Sequence, residues 1–272
     1  MKPTISYKRP KSLLNKGTGF LSGYSHTVNP YAGCAFGCSY CYVRQMPVSL
    51  FRQEDWGAWV DVKEEAGSLL RKELRKAKEK GPVTIFMSSS TDPYQPAEHR
   101  ERVTRTLLEA MADDPPGFLL VQTRSPLVCR DVDLLLRLGD RVRVSVTVET
   151  DREDVRKIFS PYAPPIPARM RALRALTAAG VPTQAAVSPL LPSTEAFPAK
   201  LREATDRVVV DDYFMGDGSG GKRTRNLGIH VLYERFGLEK WNDPAACRIV
   251  LDRFKQIFPE DRVFVSRSGF EP

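Results

Sequence analysis

Three cysteines lie close together near the start of the chain and have the spacing CxxxCxxC. They are Cys34, Cys38 and Cys41, and Gly33 and Gly37 beside them allow the tight turns of a short loop. Three thiolates on such a loop can bind three corners of a 4Fe–4S cluster. Three protein ligands leave one iron open, and an open iron serves chemistry rather than structure. The spacing therefore predicts a catalytic iron–sulfur site.

A structural zinc site is the alternative interpretation of these cysteines. Zinc would need a fourth Cys or His at a matching spacing. His26 and His99 are remote candidates, and neither belongs to a paired motif. Cys129 and Cys247 stand alone, and five cysteines in 272 residues are too sparse for a disulfide framework. Each of these two is expected to be a small buried apolar residue.

The composition is that of a globular protein rather than a disordered or membrane-embedded one. Hydrophobic residues make up 42% of the chain and charged residues 27%, and both are ordinary values for folded domains. No apolar run approaches the roughly 18 residues of a membrane helix. No apolar segment follows the N-terminal lysines, as it would in a secretory signal. The sequence therefore predicts a soluble, cytoplasmic monomer without membrane contact.

Basic residues concentrate in two tracts of a chain whose net charge is +8. Residues 1–28 contain five Lys or Arg and no acid. The second tract, Lys222, Arg223 and Arg225, follows the glycine-rich segment 216–220. Basic loops of this kind can follow a phosphate backbone, which makes these three residues candidate nucleic-acid contacts. A basic surface that is simply solvated is the alternative.

Strand-like and helix-like segments alternate along the chain. The predicted strands are 83–87, 118–121, 142–149, 182–188 and 207–210, in addition to one at the cysteine motif. The predicted helices are 99–114, about 134–138, 151–159 and 168–179. Such alternation indicates βα units and a parallel sheet, either open or curled into a barrel.

The predicted strand 142–149 suggests what the sheet encloses. Its odd-numbered positions, Arg143, Ser145, Thr147 and Glu149, are polar, whereas its even-numbered positions are all valine. Because side chains alternate between the two faces of a strand, one face can meet helices while the other stays polar. This pattern favours an incomplete barrel whose interior holds a polar ligand. An edge strand with one face in water is the alternative.

The chain divides into three predicted parts. Residues 1–28 are expected to form an extended basic arm, and residues 29–215 to form the barrel. In residues 216–272 strand-like and helix-like segments no longer alternate. This part is predicted to be a C-terminal elaboration of the same domain, with a basic loop, a helix near 244–258 and a strand at 263–265.

The CxxxCxxC segment resembles the signature of the radical S-adenosylmethionine (SAM) superfamily. That resemblance implies a partial (β/α)6 TIM-type barrel with the cluster loop after its first strand. It also implies a 4Fe–4S cluster whose open iron is chelated by the amino and carboxylate groups of SAM. An electron from a flavodoxin- or ferredoxin-type donor would then cleave SAM to methionine and a 5′-deoxyadenosyl radical, which abstracts a hydrogen atom from the substrate.

Four segments resemble one branch of this superfamily more closely, the branch that contains spore photoproduct lyase. They are residues 33–42, 86–92, 123–125 and 144–146, and the correspondence spans about 29–190. The resemblance implies a lyase-like enzyme that repairs a thymine dimer in damaged DNA. A radical SAM enzyme acting on RNA, a peptide or a small molecule is one alternative. A zinc-dependent nucleic-acid-binding module is another.

The resemblance also implies roles for individual residues. Tyr40 and Tyr42 match a pair thought to act in a radical relay, although they could instead pack against the cluster loop. Arg124 matches a basic residue facing the SAM carboxylate, which a guanidinium can bind in bidentate fashion; a solvated Arg is the alternative. Ser145 matches a serine that hydrogen-bonds SAM. The full set of candidate SAM-binding residues is Ser89, Thr91, Asp92, Arg124, Ser145, Thr147 and Glu149.

One position departs from the lyase pattern. Where the lyase carries a cysteine that returns a hydrogen atom to the product radical, this chain has Ser90. A hydroxyl O–H bond is far stronger than a thiol S–H bond, so Ser90 should be a poor donor. Either Cys129, Tyr40 or Tyr42 takes over this role, or the reaction differs from that of the lyase.

Overall fold

An eight-stranded sheet lies at the centre of the computed structural model, which describes residues 3–216 and 219–272. Met1, Lys2, Asp217 and Gly218 lie outside the described residues, and with them the start of the predicted arm and part of the glycine-rich segment. The strands are β1 (Thr4–Lys8), β2 (Asn15–Lys16), β3 (His26–Val28), β4 (Tyr31–Ala32), β5 (Trp59–Lys63), β6 (Thr84–Met87), β7 (Phe118–Thr123), β8 (Val142–Thr147), β9 (Thr183–Val187), β10 (Val208–Val210) and β11 (Val263–Val265). The α-helices are α1 (Pro47–Leu50), α2 (Ala66–Lys78), α3 (Glu98–Glu101), α4 (Val103–Asp113), α5 (Val132–Leu138), α6 (Glu153–Phe159), α7 (Ile166–Ala178), α8 (Phe197–Arg202), α9 (Lys222–Asn226), α10 (Ile229–Arg235) and α11 (Pro244–Ile257). No described helix combines the length and apolar character that crossing a membrane requires.

Seven neighbouring strands of the central sheet run parallel, in the order β3-β6-β7-β8-β9-β10-β11. The short strand β2 pairs antiparallel with β3 at one end, and β11 lies at the other end. Among the described strands β2 and β11 do not pair, so these strands form no closed barrel. Strands β3 and β6 to β10 are those of the predicted partial (β/α)6 barrel, and β11 extends it by one strand. The predicted fold class is therefore confirmed.

Strand β8 separates an apolar outer face from a polar interior. Val142, Val144 and Val146 belong to the main hydrophobic core, whereas Ser145 and Thr147 alternate with them and are fully buried inside the barrel. Since β8 pairs with β7 on one side and with β9 on the other, it is a central strand. The alternative of an edge strand with one face in water is therefore wrong.

Helices cover the outer face of the sheet, and their buried positions follow the helical repeat. Helix α2 buries Leu70 and Leu74, and the neighbouring helix α4 buries Leu107, Leu108 and Met111. All five side chains belong to the same core as the valines of β8. Each such side chain contributes roughly 1.5–3 kcal/mol when it is removed from water, so this layer fixes the strands whose ends carry the functional loops.

The helix predicted over 99–114 is interrupted in the structure. Arg102 lies between α3 and α4 in the left-handed conformation, with a φ of 53°. The buried carboxylate of Glu98 accepts hydrogen bonds from the backbone N–H groups of Thr104 (2.8 Å) and Arg105 (3.2 Å). A helix leaves such N–H groups unpaired at its start, so Glu98 caps α4. The prediction of one continuous helix is therefore wrong.

Two segments predicted to be irregular form regular structure instead. The expected extended arm contains β1, which pairs in parallel with β5 in a second sheet of order β1-β5-β4, and β3, which begins the barrel. Ile5 of β1 packs against the main core, and this apolar burial favours the strand over a solvated arm. The expected basic loop is the short helix α9. The division of the chain after residues 28 and 215 stays a prediction.

Gly33→Ala should destabilise the fold more than Gly180→Ala, although both glycines have left-handed φ angles, 78° and 84°. A Cβ on Gly33 would lie 2.5 Å from the carbonyl oxygen of Trp59, whereas nothing lies within 4 Å of a Cβ on Gly180. Gly180→Ala should lower the free energy of unfolding by roughly 1–2 kcal/mol, which is the cost of the left-handed backbone conformation alone. Gly33→Ala should cost roughly 2–5 kcal/mol, because overpacking adds to that penalty. Urea denaturation of the metal-free proteins measures both, and equal losses would contradict the steric argument.

Candidate active site

A cavity of about 500 Å³ lies where the parallel strands end. Loops that follow β3, β6, β7 and β10 form its walls, and they meet because parallel strands bring their carboxyl ends to one edge. This volume is typical of small-molecule sites, which span about 300–1,000 Å³. The predicted site residues that line the cavity are Cys34, Cys38, Tyr40, Cys41, Tyr42, Ser89, Ser90, Thr91, Asp92, Arg124 and Arg223.

The cysteine loop makes two tight turns after β3. The N–H of Gly37 donates to the carbonyl of Cys34 (3.1 Å), and the N–H of Cys41 donates to the carbonyl of Cys38 (3.2 Å). Gly37 adopts a φ of 52°, a conformation that costs glycine little. The turns place all three cysteine side chains on one wall of the cavity.

Two side chains outside any sequence motif hold this loop in place. Gln95, fully buried, donates from its amide nitrogen to the carbonyl of Gly33 (3.1 Å). Arg44 donates from Nε to the carbonyl of Cys38 (3.0 Å) and from Nη2 to the carbonyl of Gly37 (2.8 Å). Sequence reasoning missed both residues, because polar side chains that hold backbone carbonyls have no characteristic spacing.

Burial controls the chemistry of the three thiols. It raises the pKa of Cys34 and Cys38, and it raises the pKa of Cys41 to about 11, because a thiolate is poorly solvated inside the protein. The positive charge of Arg124 opposes the shift at Cys38 and Cys41. A metal bound directly to such a sulfur deprotonates it, so these thiols are suited to a cationic ligand.

The donor set formed by these cysteines fits an iron–sulfur cluster. In a 4Fe–4S cluster each cysteine binds a different iron, so the ligands need not converge on one point. Within residues 3–216 and 219–272, no three His, Cys, Asp or Glu side chains converge on a single ion. The three thiols instead share a wall of one cavity. Three protein ligands beside open space are what a cluster with one free iron requires.

Asp92 joins the loop after β6 to the end of β7. Its carboxylate accepts hydrogen bonds from the Thr123 hydroxyl (2.7 Å) and from the backbone N–H groups of Arg124 (2.7 Å) and Tyr94 (2.9 Å). Burial raises the pKa of Asp92, and these three donors oppose the shift. The side chain therefore positions Arg124 through the backbone.

Glu149, immediately beyond β8, is the centre of a buried charge network. Its carboxylate accepts hydrogen bonds from Arg169 Nη1 (2.5 Å), Arg124 Nε (2.7 Å) and the Tyr40 hydroxyl (2.6 Å). Burial alone would raise the pKa of Glu149, but Arg169 and Arg124 outweigh it and lower the value to about 2. The solvated-residue interpretation of Arg124 is therefore wrong, because its guanidinium is fixed at the cavity wall.

The hydroxyls of both candidate relay tyrosines are hydrogen-bonded. Tyr40 donates to Glu149, and Tyr42 donates to the backbone carbonyl of Ser89. The backbone N–H of Ser90 donates to the side-chain oxygen of Asn29 (3.0 Å). Tyr42 is therefore held at the loop after β6, whereas Tyr40 is held at the end of β8, and both line the cavity with Ser89 and Ser90.

Two lining residues that the sequence did not single out have polar atoms without a partner among the residues that the structure describes. Gln122 Oε1 and Ser88 Oγ are buried and make no hydrogen bond to any described residue, although both residues line the cavity. Ser88 also has a φ of 79°, which is rare for a residue other than glycine and costs energy. Buried unpartnered polar atoms are unusual in proteins, so these two mark where a polar ligand is accommodated.

Three predicted SAM-binding residues lie behind the cavity wall rather than on it. Ser145 accepts a hydrogen bond from Gln184 Nε2 (3.0 Å), and Thr147 accepts one from Gln122 Nε2 (2.5 Å). Glu149 is covered by Arg124 and Tyr40. Thr147 therefore positions Gln122 and Glu149 positions Arg124, and both of these partners line the cavity.

Cys129 lies outside the barrel. It belongs to a 3₁₀ segment between β7 and α5, and its thiol is 3.7 Å from the carbonyl oxygen of Ala172 on α7. Because this position is on the helical layer and not among the cavity residues, the structure favours Tyr40 and Tyr42 over Cys129 among the three candidate hydrogen-atom donors. Cys247 is buried in the main core, as expected.

The predicted nucleic-acid contacts lie at the edge of the cavity. Arg223 lines it, together with Thr224 of the same helix α9. Lys222 and Arg225 are exposed on this helix, which packs against the 3₁₀ segment that follows the cysteine loop. Arg223 therefore lies at the cavity, and Lys222 and Arg225 are exposed on the same short helix.

The end of β10 contributes residues that sequence reasoning missed. Asp211, Asp212 and Tyr213 follow this strand and line the cavity. Burial raises the pKa of Asp211 to about 7. Asp212 fixes the turn, because its Oδ1 accepts hydrogen bonds from the backbone N–H groups of Phe214 and Met215 (both 2.8 Å). Their place directly after a predicted strand was the signal that could have identified them.

The sequence model of the Radical SAM superfamily matches residues 28–196. An uncharacterized protein of Methanocaldococcus jannaschii is 33% identical over 172 residues, which cover 63% of this chain and 62% of that protein. An uncharacterized protein of Acidianus two-tailed virus is 31% identical over 209 residues, which cover 74% of this chain and 66% of that protein. The chain therefore spans a little under two thirds of the length of these relatives.

Solved structures with a similar fold were also found. Spore photoproduct lyase complexed with dinucleoside spore photoproduct has a TM-score of 0.67 and 14% identity, covering 96% of this chain and 81% of that one. Streptococcus suis SuiB bound to the precursor peptide SuiA has a TM-score of 0.52 and 15% identity, covering 78% of this chain and 46% of that one. At these identities the likeness concerns the fold.

Glu149→Gln should lower the free energy of unfolding by about 3–5 kcal/mol, because it leaves the buried Arg169 without a negatively charged partner. Glu195→Gln is the matched control, since Glu195 pairs with Arg253 at the surface and is 87% exposed; it should cost less than about 1 kcal/mol. Adding Arg169→Met to Glu149→Gln should recover much of the loss. Urea denaturation measures all three, and equal small losses in the two Glu→Gln variants would contradict a stabilising network.

The same carboxylate should make the fold acid-sensitive. The pKa of Glu149 falls from an ordinary 4.5 to about 2 in the folded protein. The ionised carboxylate therefore stabilises the fold fully above pH 4.5, and this contribution is lost as the pH falls towards 2. The difference corresponds to about 3 kcal/mol. Glu149→Gln should lack this part of the pH dependence when urea denaturation is repeated between about pH 5 and pH 2.5.

Proposed function

The chain belongs to the radical SAM superfamily, and we propose that Cys34, Cys38 and Cys41 hold the 4Fe–4S cluster of that family. The family match over residues 28–196 includes all three. Their shared cavity wall, their buried thiols and the space beside them support this assignment. When bound together, the cluster and SAM supply a 5′-deoxyadenosyl radical through one-electron cleavage of SAM.

SAM would lie between the cysteines and the ends of β6 and β7. Arg124 uses Nε for Glu149, while its Nη2 makes only a 3.4 Å contact with the Tyr40 hydroxyl. The terminal nitrogens can therefore bind the SAM carboxylate in bidentate fashion. The unpartnered Ser88 Oγ and Gln122 Oε1 would take further polar groups of SAM.

The other predicted SAM-binding residues would hold the loops around the cavity in place. Ser89 accepts a hydrogen bond from Tyr42, Thr91 donates to the carbonyl of Gly33 (2.5 Å), and Asp92 binds the backbone of Arg124. Each of these contacts fixes a loop around the cavity. We propose that Ser89, Thr91 and Asp92 preorganise the site in this way.

The proposed substrate is a thymine photoproduct in DNA, and the reaction a lyase-like repair. The observation that carries this proposal is the basic helix α9, whose Arg223 lines the cavity and whose Lys222 and Arg225 are exposed on the same short helix. The exposed Lys222 and Arg225 suit a phosphate backbone. A solved structure with a similar fold is that of spore photoproduct lyase complexed with dinucleoside spore photoproduct.

A flavodoxin- or ferredoxin-type protein of the cytoplasm is the proposed electron donor. The proposal is that a monomer carries out the reaction, since one chain contributes all three cysteines and the whole cavity wall described above.

Anaerobic reconstitution should load about four irons per chain, as one 4Fe–4S cluster requires. Cys34→Ala, Cys38→Ala and Cys41→Ala should each abolish loading, because each removes one cluster ligand. Cys247→Ala is the matched control and should load fully, since that thiol lies in the main core. Iron analysis and the brown absorption near 400 nm provide the measurement. Zinc in place of iron, or full loading of a Cys→Ala variant in the motif, would contradict the assignment.

The reconstituted protein, supplied with SAM and dithionite, should convert a dinucleotide photoproduct and the same lesion in irradiated DNA. Binding to DNA should weaken with salt, and Lys222→Ala with Arg225→Ala should flatten the log–log salt slope by about 1.8, or 0.9 for each lost phosphate contact. Lys72→Ala with Lys76→Ala, on the exposed face of α2, is the matched control and should leave the slope unchanged. SAM cleavage without any conversion of the lesion would reject the repair function and leave RNA, peptide or small-molecule substrates.

A further inference from the structure

We propose that Tyr213 is the hydrogen-atom donor of the cavity, the residue that gives a hydrogen atom to a carbon radical formed there. This inference rests on the proposed radical chemistry. A carbon radical takes hydrogen most readily from a thiol S–H or a phenol O–H, because these bonds are weaker than an aliphatic O–H bond. Among the described residues, the cavity is lined by three thiols and three phenols.

The thiols are unsuited to this role. Cys34, Cys38 and Cys41 are the proposed cluster ligands and carry no hydrogen when bound to metal. Cys129 and Cys247 do not line the cavity. The three lining phenols are therefore the candidate donors.

Hydrogen bonding distinguishes the three lining phenols. Tyr40 donates to the Glu149 carboxylate (2.6 Å), and Tyr42 donates to the carbonyl of Ser89. Within the described part of the chain, the hydroxyl of Tyr213 has only a long contact of 3.4 Å, with the hydroxyl of Tyr233. A phenol must leave its acceptor before a carbon radical can take its hydrogen, and a charged acceptor holds the hydrogen most strongly. Tyr213 therefore has the most available phenolic hydrogen.

Packing holds Tyr213 in place. Its ring lies between those of Tyr40 (centroids 6.0 Å apart) and Tyr233 (6.3 Å apart, nearly perpendicular at 84°). The turn after the tyrosine is fixed by Asp212, as described above. Contacts with two neighbouring rings and the burial of Tyr213 leave its side chain little freedom, which is what a preorganised donor needs.

The step balances in atoms and electrons. The Tyr213 O–H bond breaks homolytically, the hydrogen atom forms a C–H bond with the carbon radical, and a phenoxyl radical remains on Tyr213. The phenoxyl radical then regains one electron from the one-electron carrier that also reduces the cluster, and one proton from water. The hydroxyl of Tyr233 can donate a hydrogen bond to the phenoxyl oxygen in the meantime.

A test in D₂O requires no substrate. The full chain with its cluster is incubated with SAM and dithionite, and mass spectrometry measures deuterium in the 5′-deoxyadenosine released. The exchangeable hydroxyl of Tyr213 should supply one deuterium in the wild type, and Tyr213→Phe should lose it. Freeze-quenched samples should show a phenoxyl signal by electron paramagnetic resonance in the wild type and none in Tyr213→Phe. Tyr162→Phe is the matched control, because Tyr162 is 60% exposed and lies outside the cavity.

The possible outcomes separate this inference from the proposed repair function. Because phenylalanine keeps the ring, Tyr213→Phe should load iron as the wild type does. Deuterium that persists in Tyr213→Phe, or that is lost in Tyr40→Phe or Tyr42→Phe instead, would overturn the inference, as would a failure of the wild type to cleave SAM. Deuterium that depends on Tyr213 in a protein that leaves the photoproduct unchanged would support the inference while the repair function fails.

Discussion

The carboxylate of Glu149 accepts hydrogen bonds from Arg169, Arg124 and Tyr40, and these donors come from α7, the end of β7 and the cysteine loop. One buried group at the end of β8 thus fixes the outer helical layer, the neighbouring strand and the loop with the cysteines relative to each other. The desolvation of such charges is expensive, and replacing a buried ion pair by apolar residues often stabilises a protein. The main contribution of this network is therefore to hold the groups that it joins in fixed positions. It fixes the Arg124 guanidinium and the cysteine loop on the same cavity wall.

Charge balance explains why the cysteine loop needs cations nearby. Three thiolates in one buried wall repel each other, and burial raises the pKa of each thiol. Arg44 binds two carbonyls of the loop, and Arg124 lies close enough to lower the pKa of two of the thiols relative to burial alone. The protein thus supplies positive charge before any metal arrives, and the bound metal supplies the rest. An apolar wall of the same shape would bind a cluster less well.

The sequence predictions that the structure confirms depend on local patterns. The valines of β8 and the buried leucines of α4 recur at the periods of a strand and a helix, so the barrel could be predicted. The break at Arg102 could not, because it depends on the Glu98 carboxylate reaching the next helix. Contacts between distant segments also decide features that no local pattern shows. Cys129 follows β7 closely in sequence but lies on the helical layer, and Gln95 holds the cysteine loop from a segment with no motif.

The size of the cavity limits what can be bound within it. A volume of about 500 Å³ lies in the range of small-molecule sites, and part of it would be taken by SAM. A large substrate must therefore present only its reacting part to the cavity and leave the remainder outside. The remainder would meet the surface, where Lys222 and Arg225 are exposed. A lesion in a duplex would need to be flipped out of the stack to enter, and contacts to the distorted backbone would offset part of that cost. Two surfaces would then recognise the DNA. Helix α9 would bind its phosphate backbone, and the inner wall of the cavity would select the lesion.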